Sequence, residues 1–297
     1  MIEERYINAF SDFGFKKLFG EEANKDLLID FLNSLLLNEH KIIDLTFKKT
    51  ENLGATELDR KAIFDLYCID EKGQRFIVEL QKAQQKYFKD RSIYYSSFPI
   101  QEQSQKGDWS YKLEPVYCVS ILDFTFEPII REKKTNNKIK DNLEDTSQQQ
   151  EVKSTQYLHK VALTDLETKK LFYDKLFYIY IEVPNFKKEE NQLTENIDKW
   201  IYFLKNLSNF DNIPDILKGE MFMKAFNIAE IANFTDEQKF AYDQSIKYYR
   251  DLKNSFDTAF ESGEKQKAEE IAINMLKEGL SLELTSKVTS LTILEIE

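Results

Sequence analysis

The chain has 297 residues, 42% of them hydrophobic and 13% aromatic, with only eight Gly and five Pro; this composition excludes a disordered protein and favours long regular elements in one large domain or two. Its formal net charge of -11 excludes a surface that is a nucleic-acid platform throughout, because phosphate binding needs Lys and Arg gathered where the backbone lies. Cys68 and Cys118, the two cysteines, offer neither a disulfide framework nor a zinc knuckle, and each sits in an apolar run as a small buried hydrophobe does.

The opening MIEERYINAF has no signal-peptide core, and no stretch approaches ~18 uninterrupted apolar residues. A cytoplasmic protein without a membrane partner is expected. After Ser11, Asp12 and Phe13 to Phe19, the segment Asn24 to Leu37 places Leu27, Leu28, Phe31, Leu32, Leu35 and Leu36 at helical spacing, an amphipathic helix with a wide buried stripe. Lys41 to Lys49, Lys61 to Ile69 and Arg75 to Gln81 are rich in β-branched and aromatic residues and predict three strands. The compact polar turn Asp70 to Gln74 makes the second and third an antiparallel hairpin.

Lys82 to Gln105 returns to a helical pattern, which Pro99 should interrupt or kink. The almost continuously apolar Pro115 to Phe124 predicts a strand buried on both faces. Residues 127–156, polar and carrying Gln148, Gln149 and Gln150, cannot bury enough apolar surface to order alone and are expected to form a mobile insertion. Lys175 to Val183 is a further strand stopped by Pro184, and from Asn191 onward the pattern is helical. Thr235 to Lys277 is long, charged and nearly free of breakers. Gly279 is a candidate cap between two short helices, for which packing is expected ahead of a helix-turn-helix role.

The chemistry concentrates on the hairpin. Glu79 and Gln81 are two apart in one strand and share a face, and hairpin pairing can bring Asp65 beside them. Two carboxylates and a backbone carbonyl converging there form a hard oxygen site suited to Mg²⁺, Mn²⁺ or Ca²⁺. Glu79 lies in the run Phe76 to Gln81, whose neighbours favour burial, so an unpaired carboxylate there would cost several kcal/mol. On spacing alone, an edge strand showing Glu79 and Gln81 to solvent is the favoured reading, since D…ExQ is short and common.

Lys86 and Arg91 follow this strand in the basic segment Lys82 to Arg91 and are candidates for phosphate contacts or for a solvated helix face. A second basic run covers Arg131 to Lys140. Lys82, one step past Gln81, points to the opposite face unless the strand has ended. Asp12 and Lys16 are four apart, either near the site or as a surface ion pair of little value. His40 and His159 fall in no triad or metal-ligand spacing, and no GxxxxGK[ST] loop is present, so Ser-His catalysis and a nucleotide cofactor are not expected.

The order D(x13)ExQ after a helix and a strand resembles the PD-(D/E)XK nuclease superfamily, and specifically the Rpn family of recombination-promoting nucleases, also described as transposases. The resemblance runs through DFGFKKLFG at Asp12 to Gly20, Phe64 to Gln81, RSIYYSS at Arg91 to Ser97, LEPV at Leu113 to Val116, Lys175 to Phe186, and the late IAINMLKEGLSLE. It implies an α/β restriction-endonuclease-like core (helix, three strands, helix, strand) with a C-terminal helical region. It further implies that Asp65, Glu79 and the Leu80 carbonyl ligate the metal, with Gln81 at the position that is Lys in the superfamily's name. Gln supplies no cation but can orient a water through its amide.

The expected organisation is a nuclease-like core over residues 1–186, a helical region over 187–260 and a helical tail over 261–297. The expected function is a metal-dependent DNA endonuclease tied to recombination or mobile elements, with Lys16, Lys82, Lys86 and Arg91 toward DNA; cutting both strands calls for a homodimer. The alternative is a nuclease-fold DNA-binding or interaction protein with weak or no catalysis. An oligomerisation module dominated by the helices from Asn191 onward is a third reading.

Overall fold

A computed structural model describes residues 4–36, 41–48, 51–52, 62–105, 107–126 and 156–296. The expected insertion at 127–156, the basic run at 131–140 and His40 lie outside the described residues, apart from residue 156. The chain divides into two units, Met1–Ser245 and Ile246–Glu297.

The first unit is built on a mixed six-stranded sheet. Its strands are β1 (Leu45–Phe47), β4 (Leu66–Asp70), β5 (Arg75–Gln81), β6 (Val116–Leu122), β7 (Leu158–Thr164) and β8 (Leu171–Glu182), in the order β1-β4-β5-β6-β8-β7; β2 (Glu51–Asn52) and β3 (Ala62–Ile63) form a separate pair. β4 and β5 are the expected antiparallel hairpin, with Leu66 opposite Val78 and Ile69 opposite Arg75. β5, β6 and β8 run parallel, and every residue of β6 is buried, as a continuous apolar run in a parallel sheet requires. The α/β core therefore has the architecture expected of a restriction-endonuclease-like fold.

Three details depart from the sequence pattern. β7, an antiparallel edge strand on β8, is half exposed and mixes Lys160 and His159 with apolar residues, so no clean alternation announces it. The helix after β5, α3 (Phe88–Gln101), begins six residues later than Lys82. Pro99 does not stop it: it sits in the last turn, where the Pro99 carbonyl accepts a bond from Gln103 Nε2 at 3.2 Å.

α3 packs on β6. Phe64, Tyr67, Ile77, Phe88, Cys118, Tyr178 and Tyr180 form a core cluster into which Tyr95 and Phe98 of α3 reach. Strand alternation puts Glu79 and Gln81 on the same face as Ile77. On the opposite face Phe76, Tyr117 and Phe177 stack in register across three strands, with ring centroids 5.0 Å apart in each pair.

Helices α1 (Asp12–Phe19) and α2 (Lys25–Leu35) pack against α5 (Glu220–Ala229), and α2 also against α4 (Asn196–Asn206). Phe19, Phe31, Trp200, Phe203, Phe222 and Phe226 interlock there. The start of α1 is fixed by Ser11, whose Oγ accepts from Gly14 N at 3.0 Å and donates to the Asn8 carbonyl at 2.8 Å. Gly14 is required: a Cβ there would lie 2.2 Å from the Asn8 oxygen.

α6 runs unbroken from Asp236 to Lys277, where the sequence led us to expect a short helix before Gly279. In the second unit it ends in a Schellman turn, with Gly279 at φ +81° and bonds from Gly279 N to Leu276 O and from Leu280 N to Met275 O. Ser281 then caps α7 (Leu282–Thr289), and α8 (Ile293–Ile296) follows. No described helix is long and apolar enough to cross a membrane.

Candidate active site

The site forms where β4 leaves β5. Their pairing ends at Leu66 and Val78, so the backbone of the next residues on that edge needs other partners. Leu80 N donates to Asp65 Oδ2 at 2.7 Å, and Asp65 N donates to Glu79 Oε1 at 3.2 Å. The two carboxylates are thus laced to each other's strands. Gln81 Nε2 donates to Glu79 Oε2 at 2.9 Å, the contact that strand alternation allows between residues two apart. Asp65, Glu79, Leu80 and Gln81 therefore come together around the end of one hairpin.

Glu79 is 8% exposed. Burial, and after it the charge of Asp65, pushes its carboxyl up to about 8, against the pull of the Asp65 N–H, Arg91 and Gln81. Asp65 is also raised, first by burial and then by Asp12, while the Leu80 N–H, Lys16 and Lys82 oppose the rise. Two desolvated carboxyls side by side disfavour each other's ionisation. The strand has ended at Gln81, and Lys82 stands within electrostatic reach of Asp65 and Asp12; its own proton affinity is lowered chiefly by burial.

On the α1 side a cleft of about 520 Å³ opens onto Asp65, walled among others by Asp12, Lys16, Lys17, Lys48 and Tyr67. Asp12 and Lys16 pair at 3.1 Å with each side chain half exposed, a pairing of little energetic value that leaves Lys16 at the cleft wall. On the α3 side Arg91 donates through Nη2 to Gln81 Oε1 and through Nη1 to Gln85 Oε1. It also lies 5.7 Å from the Tyr95 ring. Lys86 is exposed, 5.4 Å from the Tyr87 ring, and is not among the residues that wall the cleft.

Lys48 and Tyr95 border the site without having been singled out by sequence. The signal for Lys48 is its place at the end of the strand preceding the hairpin, in the basic pair Lys48-Lys49. His159 pairs with the buried Glu182, Nε2 to Oε1 at 2.9 Å, and lines neither the cleft nor the pocket around Glu79.

Two carboxylates and the Leu80 carbonyl, which leaves the same strand edge as the Leu80 N–H, are hard oxygen donors. Such a set fits Mg²⁺, Mn²⁺ or Ca²⁺, and Mg²⁺ in particular is commonly held by one or two carboxylates with several waters. The pair, Glu79 buried and Asp65 half-buried, is also what a cation would relieve. Among the described residues no group of three or more His, Cys, Asp or Glu side chains is placed to hold an ion, so the donor set is a two-carboxylate one.

Comparison with known families gives one finding: the model of the PD-(D/E)XK nuclease family transposases matches residues 9–150 and 142–259. The comparisons with curated proteins and with solved structures return no match.

Proposed function

The chain belongs to the PD-(D/E)XK nuclease family transposases, and from that premise we propose that it is a DNA-binding protein of nuclease fold that cleaves phosphodiesters weakly. The observation that carries this reading is the arrangement of Asp65, Glu79 and Gln81: a buried and a half-buried carboxyl joined through backbone N–H groups, with a neutral amide where the superfamily has a cation. Asp65, Glu79 and the Leu80 carbonyl would hold a divalent ion. Such an ion, when bound, lowers the pKa of a water and neutralises charge on the phosphate.

The protein's own part is to hold and orient. Gln81 presents an amide whose orientation is set by Glu79 on one side and Arg91 on the other. Lys16 and Lys48 on the cleft wall, with Lys82, give a DNA backbone cationic partners beside Asp65, and the exposed Lys86 offers one more outside the cleft. Weak turnover follows from the chemistry. Burial and the Asp65 charge raise the proton affinity of Glu79, so an ion must compete with a proton there, and Gln81 cannot stabilise an oxyanion as an ammonium does. A second reading, a fully competent endonuclease acting in recombination or mobile-element movement, is favoured by one observation: Arg91 places a positive charge against Gln81. Cutting both strands would call for a homodimer.

The test is nicking of supercoiled plasmid with Mg²⁺, Mn²⁺ or Ca²⁺, beside fluorescence anisotropy on duplex DNA, for the wild type and for Asp65→Ala and Glu79→Ala. Slow metal-dependent nicking lost in both variants, with DNA affinity kept, is expected. Absence of DNA binding, or nicking that survives both substitutions, would refute the reading. Rapid turnover would favour the competent endonuclease.

A further inference from the structure

The third motif position is neutral, yet the site is not without a cation on that side. Arg91 stands on the first turn of α3 and is half buried. Its guanidinium gives one donor to Gln81 Oε1 and another to Gln85 Oε1, and it lies against the rings of Tyr95 and Phe88, 5.7 and 5.9 Å from their centroids. Gln81 in turn donates from Nε2 to Glu79 Oε2 at 2.9 Å. A guanidinium, an amide and a carboxyl are therefore linked in one line, and in a part-buried chain of this kind each bond polarises the next.

The direction of the line matters. With its carbonyl bonded to Arg91, the amide of Gln81 cannot flip without setting its NH₂ donors against the N–H groups of the guanidinium. The amide NH₂ carries two donors, one of which goes to Glu79, and withdrawal of electron density toward Arg91 makes both more acidic and better donors. Gln85 and the two rings hold the guanidinium in place, so its charge is fixed and not free to follow solvent.

We propose that Arg91 is a positioning residue that supplies, through Gln81, the positive charge that the third motif position lacks. This rests on the nuclease reading above. Arg91 then governs turnover on bound DNA, whereas a residue that only binds phosphate governs affinity.

The test moves the charge. Cleavage is measured at saturating plasmid with Mn²⁺, and DNA affinity separately with Ca²⁺, for the wild type, Arg91→Met, Arg91→Lys, Gln81→Lys and the double variant Gln81→Lys/Arg91→Met. Removing Arg91 from the wild type should slow turnover about 10- to 100-fold and change DNA affinity less than about threefold, where removing a phosphate-binding residue would weaken affinity more. In the Gln81→Lys background the sign reverses: two cations side by side repel, so removing Arg91 should speed turnover. A merely structural role gives the same sign in both backgrounds and no rescue.

Arg91→Lys, which keeps the charge but loses the fork, should retain more turnover than Arg91→Met, and it carries the test if Arg91→Met does not fold. Turnover unchanged in Arg91→Met, or equal losses in the two backgrounds, would overturn the assignment while wild-type cutting left the nuclease reading intact. A wild type that binds DNA and never cuts would overturn both.

Discussion

Glu79→Gln offers a measure of the site that needs neither metal nor DNA. The Glu79 carboxyl has an ordinary value of 4.5 and is pushed up to about 8 by burial first and by Asp65 second. The native state then holds a proton that the unfolded state releases. Stability from this group is complete below about 4.5, declines as pH rises through the window from 4.5 to about 8, and is level above it. Each tenfold change in proton affinity is worth about 1.36 kcal/mol, so the window caps the loss at about 5 kcal/mol; relaxation and water penetration reduce the realised part to roughly 1–3 kcal/mol. Gln keeps the shape, can still accept from Asp65 N, and has no charge to desolvate. Urea unfolding in EDTA should therefore show Glu79→Gln more stable than wild type by roughly 1–3 kcal/mol at pH 8.5, and with no advantage at pH 4. An equal difference at both pH values would refute the reasoning, because packing and not ionisation would then be responsible.

Lys16→Gln/Lys48→Gln, at the wall of the cleft beside Asp65, should weaken binding to duplexes of unrelated sequence to a similar degree. It should also flatten the slope of log affinity against log salt by about 1 for each phosphate no longer neutralised, as read by anisotropy over a salt series. Gly14→Ala sets a methyl group 2.2 Å from the Asn8 oxygen; the shift needed to relieve it should cost roughly 1–3 kcal/mol, read as a lower urea midpoint, and should blunt DNA binding by moving α1.

Much of the core is legible in the sequence because its signals are local. β4 and β5 announce themselves through β-branched and aromatic runs flanking a turn with Gly73 at φ +81°, and period-two spacing alone sets Glu79 beside Gln81. β6 is legible from an unbroken apolar run, and α2 from leucines and phenylalanines at helical spacing. β7 is not, because an edge strand with one pairing partner needs no buried alternation and its Lys and His read as loop. α6 is legible as the long, breaker-poor stretch Thr235 to Lys277, but its last turns read as a separate short helix before Gly279 because no strong apolar stripe ties them to the rest.

What the sequence hides at the site is a matter of where regular structure stops. Lys82 through Tyr87 share a basic, helix-like composition with the segment that follows, yet α3 starts only at Phe88. Those six residues carry the chain from the end of β5 to α3, which packs on β6, and they bring Arg91 to Gln81, ten positions earlier. No periodicity relates two residues across a strand, a turn and the first helical turn. The same holds for Asp65, whose side chain takes the Leu80 N–H because it lies one residue beyond the end of the β4 pairing at Leu66. The motif residues are written in the strand, but the charge around them is set by the ends of β4 and α3. Turnover in this chain should accordingly respond to substitution of Arg91 at the start of α3 as well as to substitutions in the motif itself, Arg91→Met slowing it where Asp65→Ala and Glu79→Ala abolish it.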